Sequence, residues 1–385
     1  LLAFTLDMDR EILSLTFSET VDVSSINASQ FQLQSNANAS IAQFVVLSDS
    51  TAQAQDSVVV DVSLSFQDLS ALQLLFPGGT ITSGVFASCT SDFVRDMAGN
   101  LVVPVLRVTA LPAQQFVPDA QRPALVAFSV DLNRSLRALL QLTFSEVVRA
   151  STLNLTQLSL QSGANSSIAN VEVLHVTAGD WSTSNSYVVA VNLTIGQTNE
   201  LKANPRLLAD QTTSWLAITA NAVRDMSGNP VQPISQDQAL QAALYVFDDT
   251  APTLLSFTVD MNILEVALTF DEAVDASSLV YTAITMQSDG SGTPATSFTL
   301  TTGANNNVDS TVLTFEFAAT DSYSLKLDEG LLVDLTSSWM TMAADSIKDM
   351  RLAPANGLDA TTLQAAAFTA DTTAPRLVAF SADMS

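Results

Sequence analysis

Leu15-Thr16-Phe17-Ser18-Glu19 returns as Leu142-Thr143-Phe144-Ser145-Glu146 and again as Leu268-Thr269-Phe270-Asp271-Glu272. The glutamates stand 127 and 126 residues apart, so whatever this stretch folds into must be built three times over. Its apolar residues alternate, as Leu13/Leu15/Phe17, Leu140/Leu142/Phe144 and Val266/Leu268/Phe270, which predicts a half-buried strand with Phe inward and Thr outward.

A shorter alternating strand precedes it, Leu2/Phe4/Leu6, Val126/Phe128/Val130 and Leu255/Phe257/Val259, and Val378/Phe380 repeats the pattern. These strands run into Asp7-Met8-Asp9, Asp131-Leu132-Asn133, Asp260-Met261-Asn262 and Asp383-Met384-Ser385, where short polar side chains can bond their own backbone in a turn. Ser24-Ser25-Ile26, Ser151-Thr152-Leu153 and Ser277-Ser278-Leu279 break the alternation and predict a single helical turn or a tight loop capped by Ser or Thr. A third strand follows at Phe31/Leu33, Leu158/Leu160 and Ile284/Met286. Two more are expected per copy, at 41–47 and 58–64, 171–176 and 187–193, and 297–300 and 312–317.

Leu207-Leu208-Ala209-Asp210 and Leu331-Leu332-Val333-Asp334 predict a helical turn ahead of Trp215 and Trp339, and Phe86 holds the aromatic place in the first copy. Arg95-Asp96-Met97-Ala98-Gly99-Asn100 and Arg224-Asp225-Met226-Ser227-Gly228-Asn229 predict a turn in which Gly takes a positive φ, before a last strand such as 101–108. In the third copy Lys348-Asp349-Met350 is followed by Arg351-Leu352-Ala353, without the Gly-Asn half.

The linkers Asp119-Ala120-Gln121-Arg122-Pro123, Asp248-Asp249-Thr250-Ala251-Pro252 and Asp371-Thr372-Thr373-Ala374-Pro375 are short enough to restrain neighbouring copies. Short strands with turn signals at roughly ten-residue spacing predict an antiparallel β-sandwich. The expected fold class is all-β, tandem sandwiches stacked into a rod: residues 1–118, 119–247 and 248–370, with 371–385 opening a fourth copy. The chain starts without a charged n-region and apolar core, and with that fourth copy begun it reads as a segment of a longer array.

Leu-Thr-Phe-Ser-Glu-x-Val-Asp, Asp-Met-Ala/Ser-Gly-Asn and Asp-Asp/Thr-Thr-Ala-Pro, in that order, resemble the immunoglobulin-like repeats of bacterial surface-layer and adhesin proteins, which also occur in algal surface proteins including those of flagellar hairs (mastigonemes). The resemblance spans all three copies and implies an immunoglobulin-like sandwich used as a spacer, stalk or filament subunit. Two departures mark it: Arg149 replaces the motif Asp in the second copy, and the third lacks Gly-Asn.

With 39 acidic against 14 basic residues, the net charge of −25 repels phosphate backbones and anionic lipid, so neither nucleic acid nor a membrane surface is expected as partner. No apolar run reaches the roughly 18 residues that suggest a bilayer span, so no membrane insertion is expected of this segment. Cys89 is the single cysteine, and Ile218 and Met342 take its place in the other copies. A small buried hydrophobe is the simple reading, an interchain disulfide the sharper one. Six Asn-x-Ser/Thr sequons, at Asn27, Asn38, Asn133, Asn154, Asn165 and Asn192, point to an extracellular glycoprotein at a cell surface or on an appendage.

Repeated oxygen ligands are the constellation with a chemical argument. Asp7, Asp9, Glu19, Asp96, Asn100, Asp119, Glu146, Asp225, Asn229, Asp248 and Glu272 could hold structural Ca²⁺ at the joints, since Ca²⁺ takes six to eight hard oxygens. The competing reading is turn chemistry for Asp and Asn and a wet strand end for Glu. No EF-hand spacing is present. Catalysis has little support: His175 is the single imidazole, placed between Leu174 and Val176 where an outward-facing residue is expected. A glycosidase needs only two acids, but these acids recur at the same turns in three copies, as structural positions do. Trp215, Trp339 and Phe86 read as core anchors, with a glycan-binding platform as the alternative. Trp181 and Tyr187, in the variable part of the second copy, are better placed for a unique contact.

The sequence therefore leads us to expect a non-enzymatic structural segment of a large extracellular protein, a stalk or mastigoneme-like filament subunit whose partners are neighbouring copies. The alternative is an adhesin that binds glycans or a neighbouring surface.

Overall fold

The computed structural model describes residues 1–77, 84–134, 136–350, 355–374, 376, 379 and 381. The strand expected at Val378/Phe380, the turn at Asp383-Met384-Ser385, the stretch Arg351-Leu352-Ala353 and the Ser135 of one sequon lie outside these residues. The chain forms two compact units: Leu1–Val130, Leu140–Asn192 and Gln211–Leu244 in one, Asp131–Leu139, Leu193–Asp210 and Tyr245–Ser385 in the other.

In the first copy the strands are Ala3–Asp7 (β1), Ile12–Asp22 (β2), Phe31–Gln34 (β3), Phe44–Val46 (β4), Thr51–Ala52 (β5) and Ser57–Ser63 (β6). Helix α1, Phe66–Leu75, comes next, then Phe86–Cys89 (β7), Arg95–Asp96 (β8), Leu111–Pro112 (β9) and Gln115–Val117 (β10). One sheet runs β10-β1-β2-β6-β5 with β8 on the end of β2; the other runs β4-β3-β7-β9. Lettered in chain order, these are the A-B-E-D and C′-C-F-G layers of an immunoglobulin-type sandwich. The third copy repeats both orders, with Gly303–Asn305, Ser310–Phe317, Glu265–Asp275, Leu254–Asp260 and Ala367–Thr369 in one sheet. Ser297–Thr299, Ile284–Gln287, Trp339–Met342 and Thr361–Gln364 form its other sheet. In the second copy Val173–His175, Leu158–Gln161, Trp215–Ile218 and Leu240–Gln241 make the same C′-C-F-G layer. The chain is thus all-β, built of tandem immunoglobulin-like sandwiches.

The recurring motif is the second strand of each copy, and its apolar side chains enter the core as expected. Leu13, Leu15 and Phe17 pack with Phe4, Leu6, Phe31 and Leu33; Val266, Leu268 and Phe270 pack with Phe257, Ile284 and Met286. Each such side chain contributes roughly 1.5–3 kcal/mol by leaving water. Cys89 faces Phe31 across β3 and β7, as Ile218 faces Leu158 and Met342 faces Ile284. It is a buried free thiol, and burial pushes its pKa up.

Several local expectations are corrected. Leu2, Val126 and Leu255 are exposed, so the buried alternation of the first strand begins two residues later. In the third copy a register shift between Leu254 and Ser256 turns Leu254 inward instead. The single turns after the motif are capped by Asp22 and Asp275, whose carboxylates accept from the backbone of Ser24 and Ser277, rather than by Ser or Thr. No helical turn forms at 207–210 or 331–334. The helices lie upstream, at Phe66–Leu75, Ile195–Ala203 (α2) and Ala319–Leu327 (α3). Residues 101–108 hold isolated bridges and the start of a 3₁₀ turn, because Pro104 has no N–H to give a ladder. The last strands are β9 and β10. Trp215, Trp339 and Phe86 are half-buried rather than core anchors, and both indoles donate to nearby carbonyls, those of Thr212 at 2.7 Å and Thr336 at 3.1 Å. The turn glycines behave as expected, with φ of +87° at Gly99 and +98° at Gly228.

Candidate functional site

The inward face of the motif strand does not end at its Phe. Leu140, Leu142 and Phe144 alternate into the core, and Glu146, two residues on, continues on the same face and is buried. Asp119, the first residue of the linker, and Asp225, from the Asp-Met-Ser-Gly-Asn turn, are brought to it. Each of the three offers an oxygen within 4.8 Å of the others, and their exposures are 7%, 7% and 0% for Asp119, Glu146 and Asp225. All three belong to the first compact unit, as does Gln73, which reaches them from α1 of the preceding copy. Gln73 Nε2 donates to Glu146 Oε2 at 2.8 Å and to Asp119 Oδ2 at 3.4 Å, and Gln73 Oε1 accepts from the Val147 N–H at 3.3 Å.

The electrostatics follow from that packing. Burial, then the neighbouring Asp119 and Asp225 carboxylates, push the Glu146 pKa far above the usual carboxylate range. Burial also raises Asp225, with hydrogen bonds from Asn229 and Gly228 opposing it. Asp225 Oδ1 accepts from the N–H groups of Gly228 and Asn229 at 2.6 and 2.7 Å, and Asn229 Nδ2 bridges Asp225 Oδ2 at 2.7 Å and the Asp119 carbonyl at 3.1 Å.

The next joint, within the second unit, has the same acids and a different centre. Asp248, Glu272 and Asp349 are buried. The Lys202 ammonium lies 2.7 Å from Asp248 and 2.9 Å from Glu272, with both side chains and its own almost wholly removed from water. Burial raises Glu272 to about 7 against the pull of Lys202. Burial alone would lower Lys202, but Asp248 and Glu272 outweigh it and raise it. Asn356 Nδ2 donates to Asp349 Oδ2 at 2.7 Å and to the Asp248 carbonyl at 3.4 Å. Asn356 therefore does in the third copy what Asn229 does in the second, across a longer loop, and the apparent loss of the motif Asn is a displacement. Lys326 pairs with Asp371 at 2.6 Å, half in solvent.

The remaining sequence-predicted ligands sit apart from these clusters. Glu19 is exposed, and with Asp96 and Asn100 it lines an open depression of about 210 Å³. Asp96 is held by its own turn, accepting from the N–H groups of Ala98 and Asn100 and from Asn100 Nδ2. Asp7 accepts from the backbone of Asp9 and Arg10 in a local turn. Asp9 has a linker role: its Oδ1 accepts from the N–H of Ala120 at 3.1 Å. Asn133 and Asn262 hold the next two linkers in the same way, through Asp249 and Thr372. Of the sequon residues, Asn27, Asn38 and Asn154 are exposed; Asn133, Asn165 and Asn192 are half-buried. His175 is exposed as expected, its Nδ1 2.8 Å from Ser159 Oγ. Trp181 donates to the Ala150 carbonyl, and Tyr187 meets Phe66 edge-on at 4.9 Å.

Gln73 and Lys202 were not among the expected residues. Their signal was a helix start: Ser65 accepts from the Asp68 N–H and Thr194 from the Gln197 N–H, the Ser/Thr-x-x-acid/amide arrangement of a capped N-terminus.

No protein-family model matches the chain, and no curated protein does. Among solved structures it is similar to the Escherichia coli adhesin FdeC, at 11% identity over 94% of this chain and 96% of that one, with a TM-score of 0.18. It is also similar to the plexin A4 full extracellular region, at 9% identity over 81% of this chain and 20% of that one, with a TM-score of 0.13. A marsupial T cell receptor matches at 9% identity over 94% and 97%, with a TM-score of 0.14. These scores carry no argument about function. The immunoglobulin-type assignment rests on strand order.

Proposed function

We propose that the chain is a structural segment of a large extracellular protein, serving as a stalk or filament subunit whose copies contact one another and neighbouring subunits. The observation that carries this reading is the shared cluster at a joint. Gln73 comes from the first copy, Asp119 from the linker, and Glu146 and Asp225 from the second copy, and together they bury groups that would be wet in either copy alone. Such a joint resists bending, which a spacer requires and a freely hinged binding module does not. Recurrence of the acids at equivalent turns supports a non-catalytic role. The exposed sequons at Asn27, Asn38 and Asn154 support secretion to a cell surface or appendage. Among the described residues no helix is long and apolar enough to cross a membrane. Imaging of the native assembly tests the proposal: regularly spaced lateral contacts between copies are expected, and free particles ending in a distinct binding tip would overturn it.

An adhesin is the second reading, favoured by one observation. In the first copy a cavity of about 390 Å³ is lined by Gln32, Ser88, Val105 and Arg107. Gln32 Nε2, Ser88 Oγ and Arg107 Nε are buried there without a hydrogen-bond partner. Polar groups of this kind suit the hydroxyls of a sugar. A glycan array with the three copies decides between the readings: a defined bound sugar, lost in Ser88→Leu, would favour the adhesin.

A further inference from the structure

The three acids of the first joint and the three of the second occupy the same places in their copies, and so do the residues facing them. Gln73 and Lys202 are each the eighth residue after the N-cap of their helix, Ser65 in α1 and Thr194 in α2. At the second joint this position delivers an ammonium group to Asp248 and Glu272, at 2.7 and 2.9 Å. At the first it delivers a neutral amide to Asp119 and Glu146. Among the described residues no Lys, Arg or His pairs with Asp119, Glu146 or Asp225. A fold that seats a cation among these acids at one joint has the same acids, equally buried, at another joint without one.

We infer that the first joint takes a divalent cation of the Ca²⁺ class from solution, held by Asp119, Glu146 and Asp225, and that Lys202 is its covalent replacement at the second joint. Buried carboxylates brought together repel strongly in a low dielectric, and a cation among them removes that repulsion. The donors are all hard oxygens, and they come from a linker, a strand and a turn rather than one rigid loop, which suits the adaptable coordination of Ca²⁺ better than the strict octahedron of Mg²⁺. Gln73 fits the same role. A half-turn of the amide presents its carbonyl oxygen to the cation as a further ligand, at the expense of the 3.3 Å bond from the Val147 N–H. The second joint shows independently that a positive centre at this place is compatible with the packing. The inference does not depend on the stalk reading, because an adhesin built from the same copies would have the same joints.

The test exchanges the two residues. Calorimetric titration with Ca²⁺ up to roughly 1 mM, the range in which extracellular modules bind, is run on the chelator-stripped wild-type chain, on Gln73→Lys and on Lys202→Gln. Gln73→Lys is expected to take up one ion fewer per chain than wild type and to melt at the same temperature with or without chelator. Lys202→Gln is expected to take up one ion more. If wild type takes up no Ca²⁺, the cluster is relieved by a proton on Glu146 and the inference fails. It fails equally if uptake is undiminished in Gln73→Lys. Should Gln73→Lys not fold, Glu146→Gln is read instead: loss of one ion with the fold retained supports the site, and unchanged uptake overturns it.

Discussion

Lys202 occupies in α2 the place that Gln73 occupies in α1, and its ammonium is 2.7 Å from Asp248 at a joint closed to water. A salt bridge so deeply buried is sensitive to the loss of either partner, because the one left behind remains charged and unsolvated. Lys202→Met is therefore expected to destabilise the second unit by about 3–5 kcal/mol. Lys326→Met, which breaks a solvent-exposed pair with Asp371, should leave stability nearly unchanged. Urea unfolding of the two variants against wild type checks both outcomes.

Glu272 gives the same joint a pH dependence of definite sign. Its folded pKa, about 7, lies above the ordinary 4.5, so the folded chain keeps a proton that the unfolded chain releases. Stability from this group is complete below pH 4.5 and declines as pH rises to about 7, by about 3 kcal/mol in all. Lys202 adds nothing to the slope in that window, since its raised pKa means its contribution is lost only above 10.5. Denaturant midpoints between pH 4.5 and 7.5 should fall in wild type and fall less in Glu272→Gln.

The displaced asparagine supplies a third expectation. Asn356 and Asn229 make matching bonds to the turn Asp and to a linker carbonyl. Asn356→Ala should cost about 1–3 kcal/mol, close to the cost of Asn229→Ala, as expected for bonds to a buried carboxylate. Thermal melts of the two single variants compare them. A negligible effect of Asn356→Ala would show that the longer loop does not replace the shorter turn.

Asp68 is buried in α1 and gathers the backbone and hydroxyls of Ser48 and Ser50, with bonds of 2.5–3.1 Å. Burial raises its pKa, but these bonds outweigh it and hold the carboxyl below its usual range. In the third copy Asp321 likewise accepts from the backbone N–H and the hydroxyl of Thr301, at 2.7 and 2.6 Å. Asp68→Ala is expected to cost about 2–3 kcal/mol, read by denaturant titration of the first unit. The contribution of the ionised carboxylate is present above pH 3.8 and lost as pH falls through the depressed folded value.

Strand positions were legible in the sequence where side chains alternate over several residues. Leu13 to Phe17 and its two copies announce themselves because one face of a sandwich must be apolar. The same reasoning overreached at Leu2, Val126 and Leu255, which are exposed while the adjacent Ala3, Leu125 and Leu254 are buried, so strict alternation fails at the start of each first strand. The helices were illegible by periodicity because α1, α2 and α3 are short and bury mixed apolar and polar side chains; for α1 and α2 the capping Ser65 and Thr194 were the better signal, while α3 has no side-chain cap. Asp119, Glu146 and Asp225 were each named from the sequence, yet nothing in their spacing says that a linker, a strand and a turn converge. The facing residues Gln73 and Lys202 could be paired only once α1 and α2 were known to be equivalent. Asn356 escaped notice because seven residues separate it from Asp349, where four separate Asn229 from Asp225.

The first two joints are assembled from halves. The helix side chain belongs to one copy, the strand Glu and the turn Asp to its successor, with the linker Asp between them, and Asp9, Asn133 or Asn262 grips each linker from behind. A fragment excised from proline to proline would thus carry a bare acidic socket at one end and an unmated plug at the other. Grafts into foreign arrays should respect polarity: a plug bearing Lys and a plug bearing Gln are not interchangeable in what they ask of the surrounding medium.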